Sequence, residues 1–135
     1  MIIDEIIALL LGDDAFNAVI SNNVFDSALP RSSPLPSPAV TCHIVTGRPS
    51  YISAGTSGQH DTIVQFDITG DQTAVRGVRD ALATLLENYR GELSQGSQVQ
   101  ATFWEMDMDE PLEHALAASA VSFHVICQVR FIWVD

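Results

Sequence analysis

The stretch TIVQFDITGDQTAVRGVRDALATLLENYR, residues 62–90, decides the fold because it joins a strand pattern directly to a helix pattern. In its first part Val64, Phe66 and Ile68 alternate with other residues, and this period of two is typical of a half-buried strand. Asp71 follows and is a predicted helix N-cap, because its carboxylate can accept hydrogen bonds from free backbone N–H groups.

Beyond this cap the apolar residues recur at steps of three and four, which predicts one apolar stripe along a helix: Val75, Val78, Leu82, Leu85, Leu86 and Tyr89. Gly91 supplies a C-terminal stop. A strand and a helix with matched apolar faces pack on each other, so this unit is expected to form the core of the domain.

The N-terminal third combines helical and extended patterns. Residues 2–11 predict an apolar helix, and Asp13 or Asp14 can cap a second short helical turn. The sequence is therefore compatible with one kinked helix or with two helices end to end. The run DSALPRSSPLPSP, residues 26–38, holds four prolines and predicts an extended connector. The PLPSP segment within it could also bind an SH3 domain, although proline-rich runs of this kind are more often linkers.

Four strands are predicted in the whole chain: residues 39–46, 60–69, 98–108 and 120–134. The third would place Val99, Ala101 and Phe103 on one face, and the last is long and apolar enough to lie centrally. Residues 47–58 predict a long, mobile hairpin arm, mostly loop, whose large apolar residues are Tyr51 and Ile52. The predicted fold is one α+β domain over residues 1–135, with the order α-β-β-α-β-β and a four-stranded, mainly antiparallel sheet with helices on one face.

The charge balance is strongly acidic, with 17 acids, six arginines, no lysine and a net charge of −11. Such a surface repels phosphate backbones, so specific nucleic-acid binding is not expected. No apolar run approaches the ~20 residues of a membrane span, and no signal-peptide pattern is present, so a cytoplasmic protein with no membrane contact is expected.

Residue patterns for catalysis or metal binding are weak. Cys42 and Cys127 lie inside apolar strand patterns, which favours buried free thiols. Cys42 next to His43, and His124 near Cys127, would point to opposite faces of their strands, which disfavours zinc. The acidic run 105–110 lacks the order of a calcium loop, so a solvated acidic turn is favoured over weak divalent-cation binding. No phosphate loop or nucleophile elbow is present, and we expect no enzyme activity, no cofactor and no metal.

Three stretches together resemble a known family: LPRSSPLPSPAVTCHIV at 29–45, VQFDITGDQTAVRGVRDAL at 64–82 and FHVICQVRFIWVD at 123–135. They resemble the tail-completion, or tail-terminator, proteins of long-tailed bacteriophages and prophage-derived particles. The matching features are the Leu35-Pro36 pair before the first strand, Val64–Ile68, Ala74–Leu82 and the closing Trp133-Val134 pair. The family's usual Arg-Tyr/Val-Pro turn after the first helix is replaced here by Asn23-Val24-Phe25.

The resemblance implies a structural virion protein that caps the tail tube, ends its polymerisation and joins it to the head connector. Its implied partners are further copies of itself in a ring, hexameric in most members, together with the tail tube protein and the head–tail connector. DNA would pass through the ring without specific binding. The implied locations are the host cytoplasm during assembly and the head–tail interface of the virion.

Candidate interface residues follow from exposure and loop position rather than from any motif: Arg48, Tyr51, Ile52, Asp107, Asp109 and Glu110. The alternative hypothesis is a small acidic adaptor, in which the acidic segment 105–113 engages a basic protein partner. Self-association of the protein would support the tail-terminator hypothesis, whereas capture of a basic partner protein would support the adaptor hypothesis.

Overall fold

The computed structural model describes residues 2–30, 37–52, 55–111 and 123–135 of the 135-residue chain. These residues form three helices and six strands, which follow one another in the order α1 (Ile2–Gly12), α2 (Asp14–Ile20), β1 (Val24–Asp26), β2 (Ala39–Ile52), β3 (Gly55–Gly70), α3 (Gln72–Leu86), β4 (Gly91–Glu92), β5 (Gln98–Pro111) and β6 (Phe123–Val134).

All six strands belong to one curled sheet with the order β1-β2-β3-β6-β5-β4. The sheet is mixed, because β1 runs parallel to β2 while every other neighbouring pair is antiparallel. Strand β6 lies between β3 and β5, so the prediction that the last strand is central is confirmed.

The core lies between one face of the sheet and the three helices. Phe66 of β3 is fully buried and pairs with Cys42 on one side and Cys127 on the other. The helices cover these strands with buried apolar residues that recur on one side of each helix: Ile2, Ile3, Ile6 and Leu10 of α1, Phe16 and Ile20 of α2, and Val75, Val78, Leu82 and Leu86 of α3. Residues 62–90 therefore form the central strand–helix unit that their periodicity predicts.

Two aspartates begin helices as N-caps. The Asp71 Oδ1 atom accepts from the Ala74 N–H at 2.8 Å, which confirms the cap predicted for α3. Asp13 accepts from the Phe16 N–H at 2.8 Å and begins α2. Because Asp13 itself is extended and lies between α1 and α2, the N-terminal region is two helices rather than one kinked helix.

The prediction of a four-stranded sheet in the order α-β-β-α-β-β was wrong. The sheet has six strands, and the described order is α-α-β-β-β-α-β-β-β. The two missed strands, β1 and β4, have three and two residues, which is too short for a period of two to show in the sequence. Both exist because a longer strand offers them backbone partners: Val24–Asp26 pair with residues 40–42, and Gly91–Glu92 pair with residues 98–99.

The predicted arm at residues 47–58 is also corrected. The β2–β3 ladder continues into it, with Tyr51 paired to Thr56 and Ile52 paired to Gly55, so its described residues extend the hairpin as paired strand, while residues 53–54 lie outside the described part of the chain. Six residues of the predicted proline-rich connector, 31–36, and the first residues of the predicted last strand, 120–122, lie outside the described part of the chain.

A bulge corrects the predicted face of β5. The register of β5 against β6 shifts between Val99 and Ala101, so Val99 faces the helices and Phe103 faces the opposite side, where 52% of its surface is exposed. Thr102 is buried in the position that strict alternation would have left exposed, and its hydroxyl donates to the Tyr89 carbonyl at 2.8 Å.

A buried carboxylate fastens the first helix to the β4–β5 turn. Glu5 of α1 is only 3% exposed and accepts from the Ser97 hydroxyl at 2.5 Å, the Gln95 N–H at 2.9 Å and the Ser97 N–H at 3.3 Å. Burial opposes ionisation of Glu5, but these hydrogen bonds outweigh it, and the pKa of the carboxyl lies below its ordinary value of 4.5.

Candidate functional site

Several chemistry-bearing side chains lie close together on the face of the sheet that no described helix covers, called here the helix-free face. The cysteines do not reach it, because Cys42 and Cys127 point into the core as free thiols while His43 and His124 point outward. Burial raises the pKa of both thiols, that of Cys127 to about 12, which keeps them protonated and unreactive.

Two histidines flank one aspartate at the centre of this face. The Asp67 carboxylate lies 3.4 Å from the His124 Nε2 atom and 3.8 Å from the His43 Nδ1 atom, and it accepts from the Gln65 amide at 2.8 Å. Gln128 donates to Gln65 at 3.0 Å and extends the chain of polar contacts to β6. Burial would raise the pKa of Asp67, but the hydrogen bonds from His124 and Gln65 prevail and lower it below 3.8.

This cluster does not form a metal centre. His43 lies across from Gln65 while His124 lies across from Thr69, so the two imidazoles approach Asp67 from opposite directions along the strand. Among the described residues no group of three or more histidines, cysteines and acids is placed to hold a metal ion.

A second polar cluster on the same face consists of three charged residues from three strands. Arg130 of β6 donates from Nε to the Glu105 carboxylate at 2.7 Å and from Nη1 to the Asp61 carboxylate at 3.0 Å. Glu105 reaches this face because a second bulge, between Trp104 and Met106, separates it from the acids that follow. The acidic run of β5 is therefore divided between the two faces of the sheet.

Asp107 and Asp109, two of the predicted interface residues, lie on the helix side, where α3 carries two arginines. Arg79 donates to the Asp109 carboxylate at 3.2 Å and lies 4.0 Å from that of Asp107, while Arg76 lies 3.5 Å from Asp109. The guanidinium of Arg76 also stands over the ring of Phe123, 5.7 Å from its centre. These ion pairs are within one chain, and whether the two aspartates also contact a partner stays a prediction.

The remaining predicted interface residues are placed by their backbone register. Arg48 pairs with Asp61 and Tyr51 with Thr56 in the β2–β3 ladder, as does Ile52 with Gly55, and Glu110 of β5 pairs with His124. Because β2 and β5 are separated by β3 and β6, the structure does not bring the two predicted groups together within one chain.

Two edges of the sheet are open over part of their length in the described chain. Strand β1 pairs only with residues 40–42 of β2, and β4 pairs only with residues 98–99 of β5. In the described part of the chain no strand covers the outer side of β2 from His43 to Ile52, or that of β5 from Phe103 to Pro111.

Exposed apolar side chains concentrate along these two edges. The large apolar residues that are exposed within the described ranges are Val19, Ile44, Val45, Phe103, Met106 and Met108, and all but Val19 belong to β2 or β5. The alternation of methionine and aspartate at residues 106–109 is the sequence signal that could have indicated a strand with two dissimilar faces.

The concave features of the surface carry less chemistry. A groove of about 310 Å³ between α1 and the β4–β5 turn is lined by Glu5, Leu9, Asp13 and Leu93 among others. The carboxylates of Glu5 and Asp13 are both engaged in backbone hydrogen bonds that hold the fold. No helix in the part of the chain that the structure describes is both long and apolar enough to cross a membrane.

The chain was compared with protein-family models, curated proteins and solved structures. No protein-family model and no curated protein matches the chain. A chain of a solved structure described as "Virion of native gene transfer agent (GTA) particle" matches it with a TM-score of 0.70 and 16% sequence identity, over 95% of this chain and 90% of that chain. The protein therefore has the same fold as a chain found in a gene transfer agent virion.

Proposed function

We propose that the protein is a structural component of a virion or gene-transfer particle, and that it acts as a ring that ends the tail tube and joins it to the head connector. The observation that carries the proposal is the fold match to a chain of a gene transfer agent virion over nearly the full length of both chains. The sequence resemblance to tail-terminator proteins, at residues 29–45, 64–82 and 123–135, supports the tail end as its position.

The physical character of the surface supports an assembly role. Within the described ranges, parts of β2 and β5 have no neighbouring strand on their outer side and carry exposed apolar side chains, which are features that a partner chain can cover. A net charge of −11 suits a ring through which DNA passes without being held. In this proposal the further partners are the tail tube protein and the head–tail connector, the site of assembly is the host cytoplasm, and the protein is not an enzyme.

The proposed contacts involve the six residues that the sequence singled out. Arg48, Tyr51 and Ile52 lie on β2, at and before the tip of the β2–β3 hairpin, while Asp107, Asp109 and Glu110 lie near the end of β5. The hairpin extends beyond the part of β2 that is paired with β1, which supports the proposal that it contacts a neighbouring subunit or the tube.

Mass in solution tests the proposal first. Light scattering behind a sizing column, over a range of protein and salt concentrations, is expected to show a discrete species of several subunits, and electron microscopy is expected to show rings. Co-sedimentation with assembled tail tubes then tests the capping role. The proposal would be refuted if the purified protein formed no rings and also failed to bind assembled tail tubes.

A paired variant tests the hairpin tip. The double substitution Tyr51→Ser with Ile52→Ser is expected to weaken ring formation or tube binding, whereas Val19→Ser on α2 removes an exposed apolar residue elsewhere and should not. Unaltered assembly of the double variant would show that the hairpin tip is dispensable.

Ion pairs within the chain argue against the alternative hypothesis of an acidic adaptor. Three carboxylates of the acidic segment, those of Glu105, Asp107 and Asp109, already face arginines of the same chain. A basic partner would have to compete with these intramolecular pairs, which lowers the gain from binding the segment.

A further inference from the structure

We infer that the open edge of β5 in one copy pairs with the open edge of β2 in the next copy, as an antiparallel continuation of the sheet. This inference deepens the proposed self-association and rests on it. The surfaces concerned are called here the β5 edge, residues 103–108, and the β2 edge, residues 43–48.

The two edges match in length and extent. The β5 edge begins after the part of β5 that β4 and Tyr89 cover, and the β2 edge begins after Cys42, the last residue of β2 that pairs with β1. Pro49 follows the β2 edge and has no N–H to donate, so the pairing is expected to stop before it. About six residues on each side remain, which is the length of an ordinary strand.

Strand direction allows the sheet to continue across copies. Neighbouring strands alternate in direction from β2 through β3 and β6 to β5, so β5 runs opposite to β2. A second copy that places its β2 beside β5 in the same sheet orientation therefore forms an antiparallel pair, which is the more stable type of ladder. Each copy then offers one edge and receives the other, and contacts of this head-to-tail kind close into rings or extend into filaments.

Charge selects this pairing over the pairing of like edges. Residues 103–110 of β5 contain four acids, Glu105, Asp107, Asp109 and Glu110, and no base. Two copies of β5 side by side would bring these acids together, and like charges across a ladder destabilise it. Arginines of the same chain face three of these carboxylates, which reduces this repulsion but does not remove it. Residues 43–52 of β2 contain one arginine, one histidine and no acid, so β2 is the complementary partner within the same chain.

Apolar burial provides the favourable term. Phe103, Met106 and Met108 are 52%, 37% and 46% exposed on the β5 edge, and Ile44 and Val45 are 39% and 44% exposed on the β2 edge. Phe103, Met106 and Met108 lie on the face opposite the core, whereas Ile44 pairs with the core residue Val64 and lies on the helix side. Pairing of the two edges therefore removes part of this apolar surface from water on both faces of the new ladder, which is favourable for association.

Site-directed cross-linking between differently labelled copies tests the inference. Thr46→Cys lies on the β2 edge and Met106→Cys on the β5 edge, and both side chains are exposed. Within one chain the two strands are three spacings apart, roughly 14 Å, and each single variant carries only one of the new thiols. The native thiols of Cys42 and Cys127 are buried, so they do not compete.

The two single variants are mixed and treated with a short bifunctional maleimide. The expected result is a covalent dimer of one Thr46→Cys chain with one Met106→Cys chain, and its loss when Val19→Cys, on α2, replaces Thr46→Cys. Met106→Lys is expected to abolish the oligomer seen by light scattering, because it replaces an apolar side chain whose burial favours the pairing with a charge that must lose water, whereas Val19→Lys should preserve the oligomer.

Three other outcomes would overturn the inference. Cross-linking of Met106→Cys with itself would show a two-fold pairing of β5 edges. A ring that gives no mixed cross-link would show that another surface holds the subunits together, and the proposed function would stand. A chain that stays monomeric in all conditions would refute edge pairing, and the tube-binding experiment would then decide the proposed function separately.

Discussion

Replacement of Glu5 tests how a buried charge holds the first helix in place. Glu5→Leu keeps a similar volume but removes the acceptor of three hydrogen bonds from Gln95 and Ser97. An unsatisfied buried donor costs about 1–3 kcal/mol, and the Ser97 hydroxyl can turn to another partner, so we expect a loss of about 2–4 kcal/mol.

Glu5→Gln is the matched control, because it removes the charge but keeps the shape. Its amide oxygen can accept the two backbone N–H groups, and its NH₂ can donate to the Ser97 hydroxyl, so only the charge-dependent part is lost, about 1 kcal/mol. Urea unfolding followed by circular dichroism measures both losses. With a slope of about 2 kcal/mol per molar, the midpoint is expected to fall by about 0.5 M for Gln and about 1–2 M for Leu.

The pH dependence of the same variants gives an independent check. Because the pKa of Glu5 is lower in the folded chain than its ordinary 4.5, its stabilisation is fully present above pH 4.5 and is lost as the pH falls through the folded value. The stability difference between wild type and Glu5→Gln should therefore close in acid. The assigned role of the carboxylate would be refuted if Glu5→Gln and Glu5→Leu lost equal stability. It would also be refuted if the stability difference between wild type and Glu5→Gln persisted at the lowest pH.

Three further predictions use other features of the fold. The thiols of Cys42 and Cys127 should not react with a disulfide reagent in the native protein and should both react in urea, since burial raises their pKa; fast native reaction would contradict their burial. Asp71→Ala should lower the free energy of unfolding by about 1 kcal/mol through loss of a helix cap, and Asp13→Ala should do the same for a shorter helix; no effect from either would contradict the cap assignment. Arg79→Ala should lower the free energy of unfolding by less than about 1 kcal/mol, because the ion pairs of Arg79 with two aspartates of β5 are partly exposed. The unfolding free energy of this variant, measured in urea, should also depend less on salt concentration than that of the wild type.

Local pattern was sufficient for the elements that depend on their own periodicity. The strand around Phe66, the cap at Asp71 and the stripe from Val75 to Leu86 were all predictable, because each has its signal within a few residues. The short strands β1 and β4 were not, because their existence depends on backbone partners many residues away rather than on a repeat of their own.

Bulges account for the errors within the strands that were predicted. One extra residue between Val99 and Ala101 reverses the faces of the next residues, so Phe103 moved from the expected core to the surface. A second bulge beyond Trp104 moved Glu105 to the face opposite Asp107. Strict alternation cannot anticipate such insertions, so the sequence indicated Asp107 as a candidate interface residue but not the exposed apolar residues Phe103, Met106 and Met108.

The acidic run of β5 acquires a different meaning once its partners are known. The sequence suggested a charged surface for a basic partner, yet arginines of α3 and β6 already face three of its carboxylates. What remains exposed between those acids is apolar: Phe103, Met106 and Met108. An edge of this kind repels another copy of itself through its acids but offers a base-bearing strand both backbone partners and apolar contact, so its charge sets which strand can pair and its apolar residues provide the affinity.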